Sequence, residues 1–311
     1  MDILVVPTIR KDCILNFLNK WEGNGDWDKI IIVEDNPTCT FDIKGIDFHY
    51  SWEDIEKDLG KDSWIISKRD SAIRTYGFYK AYQLGADYIF SLDDDCMPYK
   101  KDFCKSHKEN MLFEKWMSLI PDVRTRGLPY KNKGMLKCVA NVGLWRGIPD
   151  FDAVTSLANG VPENFDPQSK KQIIPNGVYF PFCGMNMAFH KSIIPLAYFP
   201  LMGQNQKYSR FDDIWFGIIL KKICDHLRLN ISYGHPEITH KKASNMFVNL
   251  IKEASGIYSN ETFWETIDQI KLTKNNPKDC MAEIGDGLLH LEDEYLSNLG
   301  KAILIWISFF N

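Results

Sequence analysis

The sequence predicts an α/β protein: a Rossmann-type, mostly parallel sheet flanked by helices, with a helical C-terminal extension. Three observations carry this. Short apolar, β-branched runs alternate with helical patterns in a β-α-β-α-β order through the first third of the chain. Acidic and turn-forming residues stand directly after these runs, at the strand ends where open α/β sheets bind ligands. From residue 262 onward the pattern is helical, with no strand-like run.

A chain of 311 residues suits one large α/β domain plus an extension. The expected division is 1–258 for the main domain and 259–311 for helices that serve packing or homo- or hetero-oligomer contacts. An apolar content of 45% with 25% charged residues is ordinary for a soluble chain with a full core. The formal charge of −4 argues against a nucleic-acid partner, since no basic excess exists to neutralise phosphates. The eight cysteines are scattered and form no CxxC pair, so their spacing gives no zinc or thioredoxin-like pattern. Met1-Asp2 leads directly into a strand, so no signal peptide is expected, and reduced thiols in a cytoplasmic compartment follow. The apolar stretch 302–310 is too short to span a bilayer, and no transmembrane segment is expected.

Taken in order, Ile3-Leu4-Val5-Val6 is a strand stopped by Pro7, and Pro7-Thr8-Ile9-Arg10 is a loop at its carboxyl end. Residues 12–21 form a helix with Ile14, Phe17 and Leu18 on one face. Residues 29–33 are a second strand, ending in Glu34-Asp35-Asn36-Pro37. These carboxylates have two readings: acceptors for the N–H of a base such as uracil, or turn chemistry. Residues 63–67 read as a third strand. A helix then runs from 68–71 to about 84, with Asp70 or Ser67 as N-cap and Gly85 as its C′ residue. Lys68, Arg69 and Arg74 put positive charge near that helix's N-terminus, which itself favours anions. This suits a diphosphate; a capped helix with solvated bases is the plainer alternative.

Residues 88–92 form a buried strand that enters Asp93-Asp94-Asp95-Cys96. Three adjacent aspartates repel one another and desolvate badly, so they need a counter-charge. A hard divalent cation, Mn²⁺ or Mg²⁺, shared with a substrate diphosphate supplies one. A solvated acidic turn is the other reading. Residues 100–116 suit an amphipathic helix. The region 121–175 has little periodicity and reads as a long irregular segment, one made substrate-facing by its interleaved aromatics. Residues 178–182 are a strand leading into Cys183-Gly184-Met185-Asn186. Asp212 and Asp213 open a helix that runs to about 227, where they serve as N-cap and first-turn residues worth about 1 kcal/mol. A carboxylate there also suits a sugar hydroxyl or a cationic transition state. A short strand at 231–233 precedes His240-Lys241-Lys242, which fits imidazole on a cation and ammonium on phosphate.

Several longer runs then share one order with a known family. They are Pro-Thr-Ile-Arg at 7–10, Lys-Arg-Asp-Ser-Ala at 68–72, Asp-Asp-Asp-Cys at 93–96, and Gly-Leu-Trp at 143–145 with Ile-Pro-Asp-Phe-Asp-Ala at 148–153. Phe-Cys-Gly-Met-Asn-Met-Ala-Phe at 182–189, Arg-Phe-Asp-Asp-Ile-Trp at 210–215, Ile-Cys-Asp-His-Leu at 223–227 and the run from His240 to Leu250 complete them. In these the chain resembles the reversibly glycosylated polypeptides, the UDP-arabinopyranose mutases of plants, and their microbial relatives.

The resemblance implies a GT-A-like fold over 1–258, a UDP-sugar substrate and a divalent metal, with interconversion of UDP-arabinopyranose and UDP-arabinofuranose. It assigns metal ligation to Asp93, Asp95 and His240. With the motifs and the reading of the residues taken together, substrate binding is expected at Pro7, Thr8, Arg10, Glu34, Asp35, Lys68, Asp70, Arg74, Asp94, Trp145, Gly184, Asn186 and Lys242, and catalytic roles at Asp212, Asp213, Arg126 and Lys133. Lys133 stands where the plant proteins carry a modified arginine; it keeps the charge and loses the planar fork, so self-glycosylation does not carry over with the motif. The same motifs serve two rival functions: a metal-dependent glycosyltransferase with an external acceptor, and a catalytically silent nucleotide-sugar-binding subunit.

Overall fold

The computed structural model describes residues 1–120, 123–168, 170–241 and 245–310. The chain opens with β1 (Asp2–Thr8), α1 (Lys11–Trp21), β2 (Lys29–Glu34), β3 (Phe48–Tyr50) and α2 (Trp52–Leu59). Two 3₁₀ turns, Gly60–Ile65 and Ser71–Ile73, lead into α3 (Arg74–Gln83) and β4 (Tyr88–Leu92). Next come β5 (Cys96–Pro98), α4 (Phe103–Asn110), β6 (Leu112–Glu114), β7 (Met135–Gly147), α5 (Ala153–Asn159), β8 (Gln172–Ile173) and β9 (Asn186–His190). The chain closes with α6 (Asp212–His226), β10 (Asn230–His240), α7 (Met246–Gln269), α8 (Pro277–Leu289) and α9 (Glu294–Ser308).

The main sheet runs β3-β2-β1-β4-β9-β7-β10-β5. β1, β2, β3 and β4 are parallel, as expected from the β-α-β-α-β pattern. β9 is antiparallel to both β4 and β7, while β7 and β10 are parallel. The sheet is therefore mixed rather than mostly parallel by pairing. Because β9 reverses twice over, β1, β2, β4, β7 and β10 still point the same way, and their carboxyl ends lie along one edge.

Strand alternation divides the core between the two faces. Ile3, Val5, Ile31 and Val33 face α3, α6 and the C-terminal helices; Leu4, Val6, Ile30 and Ile32 face α1 and α4. Helix α3 sits close on the first face because Gly77 permits it: a Cβ there would lie 2.4 Å from Val5 Cγ1. The C-terminal helices share this core. Trp306 is fully buried, and its Nε1–H donates to the Pro195 carbonyl at 2.8 Å. Helix α7 runs unbroken through residue 258. No helix among the described residues is long and apolar enough to cross a membrane.

Several local expectations change. β1 continues through Pro7 to Thr8, since pairing with β4 ends at Val5 and one side of the strand no longer needs the missing donor. Residues 63–67 are not a strand; β3 takes the place beside β2, and Ser51 with Asp54 closes a capping box at the start of α2. The helix expected over 100–116 ends at Asn110, because Leu112–Glu114 pairs with β7. Residues 178–182 hold no strand. The segment 121–175, read as irregular, contains β7, the longest strand of the sheet, together with α5 and β8. Asn141 and Gly143 break the apolar alternation of β7, which hid it.

Candidate functional site

The carboxyl ends of β1, β4, β7 and β10 bring one set of polar residues together. After β4 the chain turns through the three aspartates, and β5 returns antiparallel to β10 with Cys96 opposite His240. That register places Asp95 beside His240: Asp95 Oδ1 lies 3.9 Å from Nε2. The imidazole is fixed from its other side. Its Nδ1–H donates to the Ile148 carbonyl at 2.9 Å, and Ile148 N–H donates back to the His240 carbonyl at 2.9 Å. A carbonyl only accepts, so Nδ1 carries a proton and Nε2 is the ring atom turned toward Asp95. Gly147 makes this approach possible. Its φ is +86°, and a Cβ would meet the His240 carbonyl oxygen at 2.5 Å.

Two arginines hold the aspartates. Arg74 is buried and pairs with Asp93 through Nη2. Its remaining donors go to Ser91 Oγ at 2.6 Å, the Ser71 carbonyl at 3.0 Å and the Gly184 carbonyl. Burial opposes its charge, and Asp93 and Asp212 more than restore it. With four of its N–H groups on protein acceptors, Arg74 positions Asp93 and the 183–185 turn. Arg10 pairs with Asp94, and with Asp95 Oδ2 at 3.2 Å, and remains partly exposed. Thr8 Oγ1–H donates to Asp94 Oδ2 at 2.6 Å. Burial raises the Asp94 carboxyl, against these two donors.

A second acidic group adjoins the first. Asp212 and Asp213 occupy the first turn of α6, with Phe211 rather than an aspartate as N-cap. Ser71 Oγ–H donates to Asp212 at 2.8 Å, and Gly184 N–H donates to Asp213 Oδ2 at 2.8 Å. Asp70 caps the turn before α3, accepting from Ala72 N–H at 3.1 Å as expected. Burial raises all three carboxyls, Asp70 to about 8, helped by repulsion from Asp212 on Asp70 and Asp213 and from Asp93 on Asp212. Cys183 donates its thiol to Asp150 at 3.0 Å beside them.

At the end of β2 the two acidic residues separate in role. Asp35 accepts from Trp52 Nε1–H at 2.8 Å and Arg69 N–H at 2.9 Å. Lys68 and Arg69 both lie over the Trp52 ring, 4.8 Å and 4.9 Å from its centre. Lys68 also pairs with Glu56 at 2.6 Å. Trp52 escaped the sequence reading; the Ser51-to-Asp54 capping box was the signal that could have placed it. Glu34 is fully buried, and its carboxylate turns to Asn36, Thr40 and His49 instead of a base.

Other expected residues lie elsewhere. Asn186 is fully buried in β9, where its amide bonds to the Leu144 and Pro236 carbonyls and to His107, so it is not a substrate contact. Pro7 is buried in β1. Trp145 packs on Phe151 and Phe165 near the end of β7. Lys133 pairs with Glu114 at 2.8 Å, and Arg126 is exposed in the loop before β7. Lys242 lies outside the described residues.

The family model of the reversibly glycosylated polypeptides matches residues 1–119 and 107–311. The chain belongs to this family. Curated relatives extend the match along almost the whole chain. UDP-arabinopyranose mutase 1 of Arabidopsis thaliana is 36% identical over 328 residues, covering 98% of this chain and 90% of the relative. UDP-arabinopyranose mutase 1 of Oryza sativa subsp. japonica is 36% identical over 334 residues, covering 98% and 88%. A probable UDP-arabinopyranose mutase 1 of Zea mays is 35% identical over 333 residues, with the same coverage of 98% and 88%.

Proposed function

We propose that this member of the family is a UDP-arabinopyranose mutase, interconverting UDP-arabinopyranose and UDP-arabinofuranose at the edge formed by β1, β4, β7 and β10, on a GT-A-like plan. The observation that supports the site is the placing of Asp95 Oδ1 3.9 Å from His240 Nε2, with the ring held from its other side by the Ile148 carbonyl. These two side chains would take a divalent ion together. The donors, carboxylate oxygen and imidazole nitrogen, suit Mn²⁺ or Mg²⁺. Asp95 and His240 would hold the ion, with Asp93 completing the set. When bound it would neutralise the diphosphate and make UDP a better leaving group.

The chain's own residues do the rest. Arg10, partly exposed and tied to Asp94 and Asp95, adds positive charge beside the diphosphate. Lys68 and Arg69 with Trp52 and Asp35 form a wall suited to the nucleoside. The bond between the anomeric carbon and the diphosphate oxygen breaks with its electron pair leaving on UDP, through an oxocarbenium-like state. Asp213, anchored by Gly184, orients sugar hydroxyls or faces the developing charge. The sugar changes ring size, and the same diphosphate oxygen re-forms the bond. No water is consumed.

The test is to incubate the pure protein with UDP-arabinopyranose and Mn²⁺ and separate the products by anion exchange. A minor furanose peak, reached from either direction and lost on chelation, is expected. No interconversion while UDP still binds would overturn the reading, and sugar transferred to an added acceptor would point to a transferase instead.

A further inference from the structure

Away from the aspartates, the end of β2 carries a second constellation. Glu34, Cys39 and His49 bring one ligand atom each to within 4.8 Å of one another. Glu34 ends β2, Cys39 lies in the connection that follows, and His49 is the middle residue of β3. We propose that these three side chains form a binding site for a borderline divalent cation, zinc above all, distinct from the Asp95–His240 pair.

The geometry between Glu34 and His49 points to a shared ion rather than a hydrogen bond. Nε2 of His49 lies 2.9 Å from Glu34 Oε2, yet this buried nitrogen makes no hydrogen bond. A hydrogen bond needs the N–H aimed at the oxygen. Two ligands of one ion aim their lone pairs at a third point instead, and approach each other closely without being aligned. Glu34 is also prepared for such a role. Its Oε1 accepts from Asn36 Nδ2–H at 2.7 Å and from the Thr40 hydroxyl, and Thr40 N–H donates to Oε2 at 3.1 Å, which fixes the carboxylate plane with Oε2 also facing His49. Cys39 is exposed, so its side chain can turn inward by the ångström or so that ordinary zinc–sulfur distances of about 2.3 Å require.

The surroundings favour a cation and its class. Glu34, Glu53 and Asp54 lie near Cys39. Their field attracts a positive ion. Binding would release the thiol proton to solvent and leave sulfur on the metal, with no redox change. A thiolate and an imidazole select zinc over magnesium or manganese, which prefer oxygen ligands. Three protein ligands leave a fourth position for water. The cysteine spacing gave no hint, because only one of the ligands is a cysteine. A bound ion would pin the β2–β3 connection next to Asp35 and Trp52.

Cobalt is the discriminating probe, since only a sulfur ligand gives a thiolate-to-cobalt charge-transfer band. The full chain, stripped of metal and titrated with Co²⁺, is expected to show this band, and Cys39→Ser is expected to lose it while keeping its fold. Zinc competition against a chromophoric chelator should show His49→Ala and Cys39→Ser weakening binding by at least ~10–100-fold. A wild-type chain that takes up Co²⁺ without the band, or a Cys39→Ser chain that retains it, would overturn the proposal. The readout does not depend on turnover, so it stands or falls apart from the mutase assignment.

Discussion

At the end of β4, three carboxylates are held by two arginines; across β9, His107, Asn141 and Asn186 share hydrogen bonds with no charge at all. Both clusters are polar and both sit on the same sheet. The inner one is closed. Asn141 Nδ2–H donates to His107 Nδ1 at 2.9 Å, His107 Nε2–H to Asn186 Oδ1 at 3.1 Å, and Ser232 Oγ–H to Asn141 Oδ1 at 2.9 Å. Burial pushes the imidazole down to about 3, so it is neutral at ordinary pH, and each ring nitrogen has its partner. The outer cluster is open: Asp95 and His240 stand 3.9 Å apart, and Arg10 beside them is partly exposed. A closed network orders strands, whereas an open one leaves ligand positions unfilled.

The contrast breaks first at Asp95. Asp95→Ala is expected to cost on the order of 10²–10³-fold in turnover while leaving the melting temperature nearly unchanged. Undiminished turnover would remove Asp95 from the reaction. His107→Ala should do the reverse. It leaves two buried amides short of partners and a cavity among β7, β9 and α4, for a loss of about 3 kcal/mol in denaturant unfolding. Turnover per folded molecule should hold; a fall matching that of Asp95→Ala would join the two clusters into one site.

The two regions also answer pH with opposite sign. His107 binds its proton less readily in the folded chain than in the unfolded one, so it withdraws stability as pH falls from 6.5 toward 3. Asp70, raised by burial and by Asp212, binds its proton more readily when folded, so it withdraws stability as pH rises from 3.8 toward about 8. Melting curves of Asp70→Asn should therefore lose much of the wild-type decline between about pH 4 and 8, since asparagine keeps the cap without the charge. An unchanged slope would place that decline on other groups. The smallest effect belongs to Lys133→Ala: its exposed pair with Glu114 is worth under about 1 kcal/mol, and incubation of the wild type with radiolabelled UDP-sugar should leave no label on the protein.

Much of this was written in the order of residues. The alternation of Ile3 to Val6, the apolar run ending at Leu92 and the first-turn acids of α6 state their elements locally, and so β1, β4, α3 and α6 stand where the pattern puts them. The family motifs likewise singled out Asp95 and His240, which the structure brings together. Sequence by itself placed the elements because apolar runs and caps are short-range effects. It did not settle β7, whose buried Asn141 reads as a loop residue until His107 and Ser232 satisfy it from other elements. Nor did it separate Arg74, committed inside, from Arg10, partly exposed, or tell the buried Asn186 from a substrate contact. An arginine or asparagine carries the same donors in either place. Only the tertiary structure decides whether protein groups or a ligand receive them, because that depends on partners brought from distant parts of the chain, as β5 brings Asp95 to His240 and β3 brings His49 to Glu34.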